Sequence, residues 1–314
     1  MFLMVFLFAT WSTVFTLGKM TVSICPPLLL TSSRMLISGI LIIAFLLIRK
    51  QNPFKLKKSQ IIPIILLAIL SMYLTNALEY WGQQHLSAGK TCFIYSLTPF
   101  FAAFFSYIHF KEKMSKRKWI GMIIGFAGIL PAMLIQTGSE KSLGGIGIFS
   151  WAELAIVGAT LFSVYGWILL RLLVKNNDLS PIVANGLSML LGGILALIHS
   201  LCIDSWSPFP VSANNMSSFI QGTLIITLIS NIICYNLYGF LLKKYTATFL
   251  SFVGLLSPLF ASLTEWIILK QPPSITILSS SGIIIFGLWI VYQEELKQGY
   301  ILRKAKKKAQ ALEI

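Results

Sequence analysis

Read from end to end, the 314-residue chain alternates long apolar stretches with short polar breaks. Ten runs stand out, near 2–20, 27–48, 60–83, 88–110, 118–136, 149–172, 181–203, 217–240, 246–269 and 274–292. Each is close to the roughly 20 residues that carry an apolar helix across a bilayer core. None alternates apolar and polar residues as a lipid-facing barrel strand would, so helices are the predicted elements. The pattern predicts an all-α, polytopic membrane protein with ten transmembrane helices.

Composition agrees with the pattern. Hydrophobic residues make up 56% of the chain and charged ones 11%, with a mean hydropathy of +0.80. A soluble domain carries about 25% charged residues, so lipid is the predicted solvent for most of this surface. The first run lacks a basic leader and a small-residue cleavage site, and is expected to be a retained span.

The net charge of +15 would suit a nucleic acid if it formed one soluble patch, but its placement points elsewhere. With a cytoplasmic N-terminus, the inner segments hold Arg49, Lys50, Lys55, Lys57, Lys58, Lys111, Lys113, Lys116, Arg117 and Lys118. They also hold Arg171, Lys175, Lys243, Lys244, Lys297, Arg303, Lys304, Lys306, Lys307 and Lys308. Only Lys19, Arg34, Lys90, Lys141 and Lys270 lie elsewhere. That asymmetry predicts both termini in the cytoplasm, with the "RKAKKK" tail facing anionic lipid. Nucleic acid is not an expected partner.

Two of the apolar runs carry a proline near their centres, Pro99 and Pro258, where proline costs a helix interior roughly 3 kcal/mol or more. The two prolines are 159 residues apart, as are Gly128 and Gly287. Ala88, Phe93, Leu97, Phe101, Ala102 and Ile108 recur at the same offset as Ala247, Phe252, Leu256, Phe260, Ala261 and Ile267. The chain therefore reads as two copies of one unit, 1–136 and 149–292, joined by an outer linker at 137–148 and followed by a basic tail at 293–314. Five spans per copy is an odd number, so the copies enter the membrane from opposite sides, as in the inverted repeats of many secondary transporters. Interrupted helices at matching depths point to a transport site, with Pro99 and Pro258 as its hinges.

Several stretches resemble the EamA type of the drug/metabolite transporter superfamily, and the resemblance spans nearly the whole chain. They are "WSTVFTLGK" with Trp11, Arg34 in "TSSRMLI", "LSAGKTCFIYSLTPFFAAFFSYIHFKEKMS", "WIGMIIGFAGIL", "LFSVYGWILLR", "TATFLSFVGLLSPLFASL" and "SGIIIFGLWIV". Ser12 stands where a glycine usually follows the tryptophan, and Gln271 where a glutamate usually follows the ninth span; Glu112 keeps that glutamate in the first half. The resemblance implies an inner-membrane secondary transporter working by alternating access, with a small-molecule substrate and the lipid bilayer as its partners. Within the family the likeness is greatest to transporters of S-adenosylmethionine and S-adenosylhomocysteine from obligate intracellular bacteria. Other members move amino acids or diverse metabolites.

The residues themselves add a substrate character. Ionisable groups inside spans are expensive and carry a functional hypothesis by default; here they are Arg34, Glu79, Glu153 and Glu265, with Lys90 nearby. All lie toward the outer ends of their spans, where reaching outer water is the plainer explanation. Glu79 shares a helix face with Asn76 and adjoins Tyr80. Arg34 is either an ion-pair partner or the holder of a substrate carboxylate. Trp11, Tyr80, Tyr95, Trp151, Tyr165 and Tyr235 are candidate ring-stacking residues, with Trp81 and Trp167 near them, and Asn231 is a mid-span polar handle. Acidic and aromatic groups together suit a substrate with a positive centre and a planar ring. S-adenosylmethionine meets that description, and aromatic amino acids also fit.

An enzyme is disfavoured. His85, His109 and His199 are scattered near span ends, and no metal-ligand cluster, phosphate loop or nucleophile–base set is visible. No cofactor and no metal are expected. Cys25, Cys92, Cys202 and Cys234 form no Cys-x-x-Cys pair and read as inert thiols.

Overall fold

A computed structural model describes residues 2–86, 88–128, 145–146, 149–176, 178–257, 259–260, 263 and 275–299. Among the described residues, six helices are long and apolar enough to cross a membrane: α1 (Phe2–Val22), α2 (Pro27–Ile48), α3 (Lys58–His85), α7 (Trp151–Lys175), α8 (Pro181–Ile203) and α9 (Ala213–Leu242). They coincide with six of the predicted runs. The others are α4 (Ala88–Tyr95), α5 (Thr98–Phe110), α6 (Lys116–Ala127), α10 (Ala247–Leu256) and α11 (Ile275–Lys297). A two-residue antiparallel ladder, Gly145–Ile146 with Phe149–Ser150, precedes α7.

The polarity of these helices is reversed relative to a soluble bundle. Outward faces carry Ile40, Leu41, Phe45, Ile198 and Leu228, while the interior holds Ser12, Ser38, Asn185 and Asn231. A lipid-facing surface gains nothing from polar groups, and helix association inside it rests on close packing and interhelical hydrogen bonds. Some interior hydroxyls bond to their own helix: Ser12 Oγ donates to Ala9 O at 2.7 Å and Ser38 Oγ to Arg34 O at 2.7 Å.

The two halves meet through close approaches at glycine. A Cβ on Gly39 of α2 would lie 2.6 Å from the backbone nitrogen of Leu190 on α8. Reciprocally, a Cβ on Gly193 of α8 would lie 2.8 Å from the nitrogen of Leu36 on α2. Between α6 and α11, Gly287 packs against the backbone of Gly121 and Gly125. The partner of Gly287 is thus not its sequence counterpart Gly128, which ends α6.

Pro99 does not bend a continuous helix. The chain turns at Ser96–Leu97, and Pro99 occupies the first turn of a new helix, α5, where a missing N–H is no loss. At the offset of 159 the corresponding part of α10 tightens into a 3₁₀ turn at Gly254–Leu256. Pro258 itself, like Glu265, Gln271, most of the 137–148 linker and the "RKAKKK" tail, lies outside the described residues.

Two further irregularities are absent from the sequence reading. Helix α3 widens to a π-helix over Ala68–Leu74, and α9 does so over Thr227–Cys234. The two starts are again 159 residues apart. Each widened segment is held by an asparagine just beyond it. Asn76 Nδ2 donates to Ser71 O at 2.9 Å and Met72 O at 3.1 Å, and Asn236 Nδ2 to Asn231 O at 3.3 Å and Ile232 O at 2.9 Å.

Near the ends of α5, α6, α7 and α11 the structure buries two ion pairs. Lys118 Nζ meets Glu295 Oε1, whose other oxygen accepts from Thr246 Oγ1 at 2.9 Å. Arg171 Nη2 meets Glu112 Oε1 at 2.5 Å, with its guanidinium 4.3 Å from the centre of the Phe110 ring. Lys118 and Arg171 therefore differ from the expectation of water-facing end charges; both are buried and paired. Removing one partner of such a pair strands the other, at about 3–5 kcal/mol, whereas replacing both by apolar groups is often neutral. Lys118→Met should accordingly lower the melting temperature of detergent-solubilised protein sharply, and Lys118→Met with Glu295→Met should restore most of it. A double variant as unstable as the single one would show that Lys118 contributes by packing rather than by its charge.

Candidate functional site

Helix α1 brings Trp11 inward on a face it shares with Phe8 and Phe15, at the three- and four-residue spacing of neighbours on one side of a helix. Helix α7 does the same with Ser163 and Trp167, and α9 with Tyr235 and Tyr238. Together with α2, α3, α4 and α10 these faces line a cavity of about 870 Å³, counting the solvent at its opening.

Its aromatic wall is made by both halves of the chain. The Trp11 ring centre lies 5.5 Å from Trp167, 5.3 Å from Tyr235 and 5.9 Å from Tyr238. Trp167 and Tyr238 are 4.1 Å apart at 36°. These are tilted and edge-on contacts of the kind aromatic quadrupoles favour, so the rings hold one another in place and leave π surface to a guest.

The polar wall carries one charge of each sign. Glu79 is half-buried; Tyr95 OH donates to its Oε2 at 2.6 Å and Gln83 Nε2 to its Oε1 at 3.2 Å. Arg34 is 2% exposed. Its Nε and Nη2 donate to Asn231 Oδ1 at 3.1 and 2.8 Å, and Nη2 also to Ser230 Oγ at 3.1 Å. Nη1 donates to the Tyr80 hydroxyl. The π segment of α9 carries Ser230 and Asn231, whose side chains meet this guanidinium. Asn231 is in turn oriented by donating to Ser38 Oγ at 3.0 Å.

Of the residues singled out in the sequence, Trp11, Arg34, Asn76, Glu79, Tyr95 and Tyr235 line this cavity. Tyr80 and Asn231 stand behind Arg34 and hold it. Three others are placed elsewhere. Trp151 is 49% exposed at the start of α7. Glu153 closes a capping box there, accepting from Ser150 N at 2.6 Å and Ser150 Oγ at 2.9 Å. Tyr165 packs edge-on against Phe105 at 5.0 Å. Pro99 follows the lining residue Thr98 directly.

The cavity also uses residues that were not chosen from the sequence. Trp167 stood among the aromatic residues noted, and Tyr238 lies one turn beyond Tyr235, a spacing that marks it as facing the same way. Ser163, Ser230, Ser251 and Ser257 add hydroxyls; nothing in their local sequence distinguishes them from other interior serines. Among the described residues, no group of three or more His, Cys, Asp or Glu side chains is arranged to hold a metal.

Comparison with known proteins places these features in context. The EamA-like transporter family model matches residues 1–134 and 150–293. The chain is 39% identical over 295 residues to the S-adenosylmethionine/S-adenosylhomocysteine transporter of Chlamydia muridarum (strain MoPn / Nigg), covering 93% of this chain and 91% of that one. It is 38% identical over 299 residues to the protein of the same description from Chlamydia trachomatis serovar L2, covering 93% and 88%. An uncharacterized transporter of Bacillus subtilis (strain 168) is 26% identical over 290 residues. A solved crystal structure at 17% identity superposes with a TM-score of 0.72 over 95% of this chain and 96% of its own, a likeness of fold.

The Arg34 clamp is open to a direct test. Asn231→Ala deletes the acceptor of two charged hydrogen bonds, each worth about 1.5–3 kcal/mol, and leaves a buried cation short of partners. Its melting temperature should fall well below that of Ser230→Ala, which loses a single bond. Equal, small shifts in thermal unfolding would mean that Tyr80 alone suffices to hold the guanidinium.

Proposed function

The chain belongs to the EamA-like transporter family, and from that premise we propose that it is a secondary carrier of S-adenosylmethionine, taken up in exchange for S-adenosylhomocysteine. The observation that carries the reading is the cavity itself, where the carboxylate of Glu79 lies in the same chamber as the ring cluster of Trp11, Trp167, Tyr235 and Tyr238. S-adenosylmethionine has a flat adenine for the rings and a sulfonium for the carboxylate. The Chlamydia S-adenosylmethionine/S-adenosylhomocysteine transporters, at 38–39% identity over nearly the full length, support the same substrate pair.

The architecture proposed for this carrier is ten spans in a 5+5 inverted repeat, over 1–136 and 149–292. The 137–148 linker lies outside, and the 293–314 tail and both termini lie in the cytoplasm of a bacterial inner membrane. Support comes from the two matched family segments, from π-helical segments 159 residues apart, and from the one-sided basic residues. Alternating access then amounts to exposing one central chamber to either face, with the breaks beside Pro99 and Pro258 as the flexing points. Inward movement of a net cation is favoured by about 2.3 kcal/mol per charge for each 100 mV of membrane potential. S-adenosylhomocysteine lacks the sulfonium charge, so one-for-one exchange is electrogenic.

Uptake of labelled S-adenosylmethionine into a heterologous bacterium, accelerated by internal S-adenosylhomocysteine, is the primary test. Absence of uptake alongside transport of an aromatic amino acid would overturn the substrate. Glu79→Gln should weaken S-adenosylmethionine by about 1–3 kcal/mol, roughly tenfold in apparent affinity, and S-adenosylhomocysteine by less. Equal losses would assign Glu79 to a group that both ligands share.

Pro99→Ala returns an N–H to position 99 and permits α4 and α5 to join. It should depress turnover more than membrane abundance, and full turnover at matched expression would remove the hinge role. For orientation, an impermeant maleimide applied to intact cells should label a cysteine at position 140 but not at 115 in a Cys-free background. Labelling at 115 refutes the topology.

A further inference from the structure

Arg34 is a buried cation in a membrane interior, and the way it is held carries a consequence beyond the reading above. All its partners are neutral: an amide oxygen, a serine hydroxyl and a phenol. Among the described residues, no carboxylate lies within salt-bridge distance of it. The acid on the same cavity wall, Glu79, is bonded instead to Tyr95 and Gln83. The other two buried interior cations described, Lys118 and Arg171, each have a glutamate of their own. Ionisable groups within spans are normally paired with one another, so Arg34 stands apart. Neutral oxygens orient a guanidinium but do not neutralise it. Of its five N–H donors, one on Nη1 has no acceptor among the described residues, and Arg34 borders the cavity.

From this we infer that Arg34 is the carboxylate subsite of the cavity, and that the transported molecule is recognised as an α-amino acid through its carboxylate. The inference rests on the carrier reading and names which part of the substrate this residue takes. The cavity then has two separate poles, with Arg34 for the carboxylate and Glu79 for a cationic centre, and an aromatic wall for the remainder. Keeping the two poles unpaired suits a zwitterion, because a direct Arg34–Glu79 bridge would have to be broken by every guest. It also explains how one chamber accepts both members of an exchanging pair. S-adenosylmethionine and S-adenosylhomocysteine differ at sulfur and share the carboxylate, so the shared handle is the one bound by the group that never loses its charge.

The test compares acids with their decarboxylated counterparts on the full-length protein. In purified wild-type protein, S-adenosylmethionine is paired with its decarboxylated form, S-adenosylhomocysteine with its decarboxylated form, and tryptophan with tryptamine, with binding read by tryptophan fluorescence and thermal shift. Whichever pair binds, the acid should bind at least tenfold more tightly than its decarboxylated form. Arg34→Lys, which keeps the charge and removes the Nη1 donor, should narrow that gap and weaken the acid alone. An acid preference intact in tryptophan but with no binding of S-adenosylmethionine would refute the substrate reading and uphold the subsite. Equal binding of acid and decarboxylated form in wild-type protein refutes the subsite even if S-adenosylmethionine is transported. So does binding of none of the acids. The wild-type comparison stands whether or not the Arg34 variants fold, and Arg34→Gln losing acid and amine equally would reduce Arg34 to a structural brace.

Discussion

Hydrocarbon offers no hydrogen bonds, and nearly every departure from regular helix in this protein is shaped by that single constraint. A backbone carbonyl or a charge that water would solvate must here find its partner within the fold. The widened turns of α3 and α9 are tolerated because Asn76 and Asn236 occupy the carbonyls they loosen. Arg34 is tolerated because two helices, α3 and α9, send three side-chain oxygen atoms to it. The break before α5 falls where Pro99 has no donor to lose. The cavity forms among these partnered groups.

Much of this was legible in the sequence, for physical reasons. Apolar length is a strong signal when the solvent is lipid, and six predicted runs correspond to crossing helices. The recurrence at an offset of 159 was visible because proline and glycine have few substitutes where the backbone is irregular. Trp11, Arg34, Asn76, Glu79, Tyr95 and Tyr235 were recognisable as polar or aromatic residues in expensive surroundings, and they meet at one cavity. What escaped were features decided by distant partners. Nothing near Arg34 in the chain announces Asn231, 197 residues away. The π segments read as plain apolar helix until the side chains that cap them are seen in space.

Two misplacements are instructive. Glu153 looked like an intramembrane acid, but the Ser-Trp-Ala-Glu stretch at 150–153 is a capping box, and its carboxylate satisfies the start of α7. Tyr165 and Trp167 sit two positions apart and therefore point to different sides of α7. The face shared by Ser163 and Trp167, four residues apart, is the one that reaches the chamber. The sequence reading chose Tyr165 and noted Trp167 only as a neighbour; helical phase reverses that order.

The π-helical segment of α3 has a consequence for how such a chain changes over generations. One residue corresponds to about 100° of rotation in an α-helix, so the extra residue absorbed by the widened turn sets the phase of everything after it. Deleting a single residue between Ala68 and Leu74 would leave the helix long enough for the bilayer yet swing Glu79 away from the chamber by about that angle. Helix α9 holds the same surplus at the same offset, where it sets the phase of Tyr235 and Tyr238.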